Sequence, residues 1–241
     1  MIGIGAGDPD HVTVQAIKAM NEVDVFFVVE KRGERRDLVE LRSEILTRHV
    51  EGEPRVVYVE EPERDRGAAD YAEAVEDWRR KRAEVWGRAL TEELAEDQRG
   101  AFLVWGDPAL YDSTLGVLDR VPEVGCEVIP GISSVQALAA RHAVPLNRVG
   151  GAIQITTGRR LANGFPAEAD DVVVMLDADC TFTELAGQDL DIYWGAYVGT
   201  DDELLVAGPL TEVADQIRQT RAEARERKGW IMDTYLLKRR A

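Results

Sequence analysis

The sequence predicts an α/β protein made of two α/β domains. Three observations lead there. Apolar, β-branched runs alternate with amphipathic stretches along most of the chain. The run 25–29 is unbroken in its apolar character, as expected of a parallel strand covered on both faces. Beyond residue 150 the strand-like runs crowd together with fewer helices between them, which predicts a mixed sheet in the second half. A length of 241 residues suits one large domain or two smaller ones. The composition shift places the boundary near 121–131, dividing the chain into an N-terminal domain, 1–125, and a C-terminal domain, 126–241.

The first strand is 1–4, followed by a glycine-rich turn. A helix over 13–21 carries Val14, Ile17 and Ala16/Met20 on one face. Strand 25–29 precedes a helix over 37–49 and a strand over 55–59. The longest helical signal covers 68–97, its apolar stripe formed by Tyr71, Val75, Trp78, Val85, Leu90 and Leu94, with a break expected near Trp86-Gly87. Strand 101–105 ends in Gly106-Asp107-Pro108. A short helix over 113–120, a strand over 127–129 and a helix running to His142, capped by Ser133 or Ser134, follow. Strands are then expected at 152–156, 172–176, 192–198 and 203–207. A helix over 211–228 stops at Gly229, and the last strand is 230–237.

Composition removes several function classes. The formal charge is −16, from 45 acidic and 29 basic residues, so there is no domain-wide basic footprint for nucleic acid. Residues 161–217 hold 13 acidic groups and no lysine or arginine, so the acidity is regional. It does not oppose an anionic ligand approaching the near-neutral remainder. Two cysteines, Cys126 and Cys180, and three histidines, His11, His49 and His142, give no disulfide framework and no zinc-type spacing, so no metal is expected. No apolar run approaches the ~18–20 residues of a membrane span, and none reads as a leader, which leads to the expectation of a cytoplasmic protein.

Three loops after strands carry candidate chemistry. Gly3, Gly5 and Gly7 allow close backbone approach by a ligand at the head of a helix. The spacing departs from the dinucleotide fingerprint, because Asp8 takes the place of the third glycine. Gly106-Asp107-Pro108 repeats the Gly7-Asp8-Pro9 turn after a second strand, and Pro130-Gly131-Ile132-Ser133-Ser134 forms a third. Each alone is equally a structural turn or helix cap. Together, at the carboxyl ends of strands, they predict one ligand site. Lys31, Arg32, Arg35 and Arg36 form a basic cluster, and Arg159 and Arg160 a smaller one. Such runs are commonly solvated surface, but arginine forks also suit carboxylates.

The segments GIGAGDPDHVT at 3–13, WGDPALYDS at 105–113 and IPGISSVQALA at 129–139 resemble the three defining segments of the tetrapyrrole methylase family. Segments 23–38, 154–161, 191–200 and 229–240 resemble a branch of it that methylates precorrin-5 at carbon 1 in cobalamin biosynthesis and releases acetate. The resemblance spans essentially the whole chain and is weakest over 62–99 and just after 162. Family members usually carry proline where this chain has Ala6. Only two residues precede Gly3, so either the first strand is very short or the start lies upstream.

The resemblance implies S-adenosylmethionine (SAM) as cofactor, S-adenosylhomocysteine (SAH) as its product, no metal, a cleft between two α/β domains and a homodimer. Carried over position by position, it implies cofactor contacts from Trp105, Gly106, Asp107, Leu110, Ser133, Ser134, Met175, Tyr197, Val198 and Gly199. Leu110 and Met175 would sandwich the purine. The substrate would be a small-molecule tetrapyrrole, its carboxylates met by Arg32, Arg35, Arg36, Arg159 or Arg160. Trp105, Tyr111, Tyr193, Trp194 and Tyr197 are candidates for lining its flat ring, or else core residues. Loss of acetyl needs a base, with Asp8 and Tyr111 the first choices over His11, Glu30 and Asp112. Three other readings are a family methylase acting on another precorrin, a diphthamide precursor or ribosomal RNA; an oxidoreductase using Gly3–Gly7 with Glu30; and a non-catalytic SAM-binding scaffold.

Overall fold

The computed structural model describes residues 1–30, 36–62 and 71–240. Its contacts divide into two compact units, Met1–Gly5 with Pro9–Ile132, and Ala6–Asp8 with Ser133–Ala241. The division falls at 132/133, a few residues after the 125/126 boundary read from composition. The reason is local pairing. Ile129 bridges Ile2 in parallel, donating to the Met1 carbonyl and accepting from the Gly3 N–H, so 127–129 completes the first unit.

In the first unit a parallel sheet has the order β1-β4-β2-β3. Its strands are β1 (Ile2–Gly3), β2 (Val25–Glu30), β3 (Val56–Glu60) and β4 (Gly100–Val104). Side chains alternate between faces, as the two-residue period of a strand dictates. Val25, Phe27, Phe102 and Val104 pack with Trp86 and Leu90 of α3 (Tyr71–Glu93) and Val117 and Leu118 of α4 (Thr114–Leu118). Phe26, Ala101 and Leu103 face the other way, against Ala16 and Met20 of α1 (Val14–Met20) and Ile45 and Leu46 of α2 (Arg36–His49). Both faces are thus covered, which explains the unbroken apolar run in β2. Thr13 caps α1, its Oγ1 accepting from the Ala16 N–H.

Two expectations change here. α3 runs unbroken through Gly87, because Trp86 is buried and stacks on Phe102 and the helix has no reason to bend. The strand expected at 127–129 is reduced to the single bridge at Ile129.

The second unit carries a mixed sheet of order β5-β6-β9-β7-β8, in which only β5 and β6 run parallel to each other. Its strands are β5 (Ile153–Thr157), β6 (Asp171–Met175), β7 (Leu190–Ala196), β8 (Leu204–Pro209) and β9 (Asp233–Arg239). Val172, Val174, Ile192, Trp194, Tyr235 and Leu237 form the core with Leu210, Ala214, Ile217 and Ala224 of α7 (Leu210–Lys228). Gly229 ends α7 in a left-handed conformation (φ 74°), the geometry for which glycine is favoured after a helix. Helices α5 (Ser134–Arg141) and α6 (Gly158–Leu161) lead in the same unit. Two short 3-10 turns at Pro9–His11 and Thr181–Leu185, and α6 itself, were not legible as periodicity.

Candidate functional site

In the first unit the glycines of all three loops meet backbone to backbone. Gly5 and Gly106 form an antiparallel bridge: the Gly106 N–H donates to the Gly5 carbonyl at 2.8 Å. A Cβ on Gly3 would lie 2.6 Å from the Gly131 nitrogen and 2.9 Å from the Gly106 oxygen, and one on Gly131 would lie 2.2 Å from that oxygen. Side chains are therefore excluded at these positions by neighbouring backbone. Gly5 is in the left-handed region (φ 85°), and a Cβ there would strike His11.

Asp107 binds the second loop to the third. One carboxylate oxygen accepts from the Ala109 N–H at 2.8 Å and the other from the Gly131 N–H at 2.9 Å. Gly106 is buried and Leu110 half-buried. Tyr111 is 47% exposed and held at φ 51°, a conformation uncommon for a non-glycine residue and found disproportionately at functional sites. Asp112 accepts from the Thr114 N–H at the head of α4. This is a capping role, which leaves it a poor candidate for the base. His11 packs beside Gly5, and its Nδ1 is buried without a hydrogen-bond partner among the described residues.

In the second unit, residues 6–8 run against 198–200, where a Cβ on Gly7 would lie 2.6 Å from the Val198 oxygen. The Arg141 guanidinium donates to Glu203 at 2.6 Å, and Glu203 accepts from the Gly199 N–H at 2.9 Å. Glu203 chiefly, with the charge of Asp8 contributing, holds Arg141 above its ordinary pKa. Asp8 thus sits in a charged network, while Gly199 has the left-handed φ of 83°.

Two residues carried over by motif, Ser133 and Tyr197, and one candidate for lining the ring, Trp194, take structural positions. Ser133 is buried and caps α5, its Oγ accepting from the Val135 N–H and paired with Gln136. Tyr197 points into the core, its hydroxyl donating to the Trp230 carbonyl at 2.6 Å and its ring edge-on to Trp230. Only its backbone, at φ 50°, remains to face a ligand. Trp194 is fully buried, donating to Asp233 at 3.0 Å, and cannot line a macrocycle. Ser134, by contrast, is half-buried as the first residue of α5. Val198 is buried and Tyr193 half-buried.

Met175 ends β6 partly exposed, and the next residue, Leu176, is 67% exposed at φ 55°. An exposed apolar side chain in the left-handed region at a strand's carboxyl end is an uncommon conformation for a non-glycine residue, and the sequence did not single it out. The only trace in sequence is the pair Met175-Leu176 before acidic residues. Arg159 and Arg160 are exposed on α6, directly after β5. Lys31, Arg32 and Arg35 lie outside the described residues, as do the side chains of Glu30 and Arg36.

In the first unit, backbone amides and carbonyls lie bare where glycines leave no side chain, and Leu110 is half-buried beside them in sequence. In the second unit, Met175 and Leu176 present apolar surface at the end of β6. Among the described residues, no group of three His, Cys, Asp or Glu could hold a metal ion. No helix there is long and apolar enough to cross a membrane.

Comparison with known proteins gives a consistent result. A family model described as Tetrapyrrole (Corrin/Porphyrin) Methylases matches residues 1–214. The chain is 46% identical over 247 aligned positions to a precorrin-6A synthase [deacetylating] of Sinorhizobium sp, covering all of this chain and 95% of the relative. A cobalamin synthesis related protein (CobF) of Corynebacterium diphtheriae superposes with a TM-score of 0.86 at 35% identity, covering 98% of this chain and 96% of that one. A uroporphyrin-III C-methyltransferase of Thermus thermophilus, solved with S-adenosyl homocysteine, shares the fold alone, with a TM-score of 0.61 at 18% identity over 98% and 90% of the two chains.

Proposed function

This chain belongs to the tetrapyrrole methylase family and is a C-methyltransferase of cobalamin biosynthesis; we propose that it methylates precorrin-5 at carbon 1 and releases acetate, giving precorrin-6A. The single observation that carries the substrate is the 46% identity to a deacetylating precorrin-6A synthase along the full length of this chain. SAM, which tetrapyrrole methylases bind, supplies an electrophilic methyl group on sulfur.

The residues assigned to the cofactor are Trp105, Gly106, Asp107 and Leu110, with Ser134, Met175, the backbone of Tyr197 to Gly199, and Leu176 added. Ser133 acts behind Ser134 as the helix cap. Asp107 supports this reading by fixing the loop whose backbone would meet the amino-acid end. Methyl transfer is an in-line displacement, so the chain's part is to hold the reacting carbon at attack distance and exclude water.

Loss of the acetyl group requires water to add to its carbonyl carbon, with a base taking the proton. The carbon–carbon bond then breaks, its electron pair returning to the macrocycle as acetate leaves. Asp8, beside Arg141, and the exposed Tyr111 are the groups assigned to proton handling. Arg32, Arg35, Arg36, Arg159 and Arg160 are assigned to the peripheral carboxylates, for which guanidinium forks are suited. A cytoplasmic homodimer without nucleic-acid or membrane partners completes the reading; the net charge of −16 supports the absence of a nucleic-acid partner.

Incubation with SAM and precorrin-5, followed by mass spectrometry, tests it. Gain of one methyl with loss of one acetyl, and acetate in solution, is expected. Methylation of a different precorrin in preference, or methylation without acetate release, overturns it.

A further inference from the structure

Helix α3 carries Trp78, Arg82 and Trp86 at four-residue spacing, so the three side chains share one face. Arg82 is 5% exposed, and its guanidinium lies 4.5 Å from the ring centroid of Trp78 and 4.7 Å from that of Trp86. Trp78 in turn donates to the Pro62 carbonyl at 2.9 Å, which ties the helix to the chain leaving β3. There Glu61, 7% exposed, forms an ion pair with Arg82 at 2.5 Å. Burial lowers the pKa of the guanidinium, and the charges of Glu61 and Asp112 oppose that shift. A buried ion pair is a poor stabilising device, because desolvation offsets most of the attraction between the charges, and apolar side chains of similar volume often serve as well. What a guanidinium adds is a second arm of fixed direction.

That arm reaches loop 105–113. Arg82 Nη1 donates to Ser113 Oγ at 2.8 Å. Ser113 stands at the N-cap of α4, where a serine hydroxyl ordinarily accepts from the helix's own N–H groups. Here its backbone is in the helical region (φ −110°, ψ −5°) and the hydroxyl caps nothing. Asp112 takes over that task, accepting from the Thr114 N–H at 2.6 Å. The serine is thus released to serve Arg82. Immediately before these two residues comes Tyr111, at φ 51°. Such a conformation in a non-glycine residue persists only where its surroundings over-determine it. Asp107 fixes the chain on one side, through the Ala109 N–H, and Asp112 with Ser113 fix it on the other.

We propose that Arg82, anchored by Glu61, is a positioning residue for Tyr111 and acts through the Ser113 hydroxyl. The proposal rests on the reading above, in which Tyr111 handles a proton during acetate release. Methyl transfer, an in-line displacement, does not call on that proton. The two steps therefore respond differently when the hold on Tyr111 is lost.

Single-turnover incubation with SAM and precorrin-5 tests this, with mass spectrometry separating precorrin-6A from a methylated macrocycle that keeps its acetyl group. Ser113→Ala removes the acceptor at an exposed residue that caps no helix. It should slow acetate release roughly tenfold or more relative to methyl transfer, the scale on which small misplacements act. Melting temperature and SAH affinity should stay at wild-type values. Ser113→Thr keeps the hydroxyl and should restore the ratio of the two steps. Tyr111→Phe should show the same defect, and adding Ser113→Ala to it should make it no worse. Arg82→Met combined with Glu61→Leu replaces the ion pair by apolar volume; this double variant should fold and reproduce the Ser113→Ala defect. Gly116→Ala, in the same short helix, is the control and should release acetate as the wild type does. A wild-type ratio in Ser113→Ala, or a parallel loss of both steps, overturns the proposal. A wild type that binds SAH but neither methylates precorrin-5 nor releases acetate overturns the functional reading instead.

Discussion

Gly131 and Gly106 lie so close that a β-carbon on the first would sit 2.2 Å from the carbonyl oxygen of the second. The obstacle is backbone on a bridge to Gly5, which has no soft way to yield. Gly131→Ala is therefore expected to cost roughly 2–3 kcal/mol, the upper part of the range for overpacked positions. Gly116, in α4 with open space around it, is the control. Gly116→Ala should be neutral or stabilising by up to about 1 kcal/mol from helix propensity. Urea denaturation of the two variants checks both, and equal midpoints would refute the packing argument.

Asp107 gives a second prediction, because its carboxylate is occupied by the Ala109 and Gly131 N–H groups. Asp107→Ala leaves both donors unanswered, at a cost of about 1–3 kcal/mol each where they are shielded from water. Asp107→Asn retains one oxygen acceptor and should lose less. SAH affinity, by calorimetry, is expected to fall at least tenfold in the alanine variant and less in the asparagine one. An alanine variant with wild-type stability and affinity would show that the carboxylate ties nothing together.

What could be read from sequence alone follows from where each signal resides. The three loops were legible because glycine and Asp-Pro turns are chemical necessities of close backbone approach. β2 was legible because a strand covered on both faces must be apolar throughout. The orientation of Tyr197 was not, since a left-handed residue just past β7 turns its side chain into the core against the strand's alternation. Ser133 was read both as cap and as ligand contact, and only its hydrogen bond to Val135 separates the two. Arg82 and Glu61 were invisible, being 21 positions apart among many charged residues that face solvent. Their burial depends on how α3 packs beside β3, which no local pattern encodes.

The core of the second unit contains its own ion pair. Arg221 Nε donates to Asp233 at 2.9 Å and its Nη2 to the Asp177 carbonyl at 2.8 Å, while Trp194 donates to the same Asp233 oxygen. Burial pushes the Asp233 carboxyl upward and the two donors oppose it. Removing the guanidinium leaves a buried carboxylate without its counter-charge, which typically costs about 3–5 kcal/mol. Arg221→Met should therefore destabilise strongly, and the double variant Arg221→Met with Asp233→Leu should recover part of that loss. Denaturant midpoints for the single and double variants decide it. A double variant no better than the single one would mean that Trp194, left without an acceptor, matters more than the charge.

Tyr235 makes the pH dependence specific. Its hydroxyl is buried and donates to Asp177 Oδ2 at 2.7 Å; burial first, and that carboxylate second, hold its pKa far above the ordinary 10.0. In the unfolded chain the phenol ionises near pH ~10, while in the fold it stays protonated. Its contribution is therefore complete below pH ~10 and declines above it, by about 1.4 kcal/mol per pH unit. Tyr235→Phe should be less stable than the wild type at pH 7, by the roughly 1–3 kcal/mol of a buried acceptor losing a donor. Between about pH 10 and pH 11 the gap should narrow by roughly 1 kcal/mol, because phenylalanine has no proton to lose in either state. Urea unfolding at pH 7, 9, 10 and 11 measures the gap directly. A constant difference across that series would mean that the phenol ionises alike in both states, and that Asp177 is not its partner in solution.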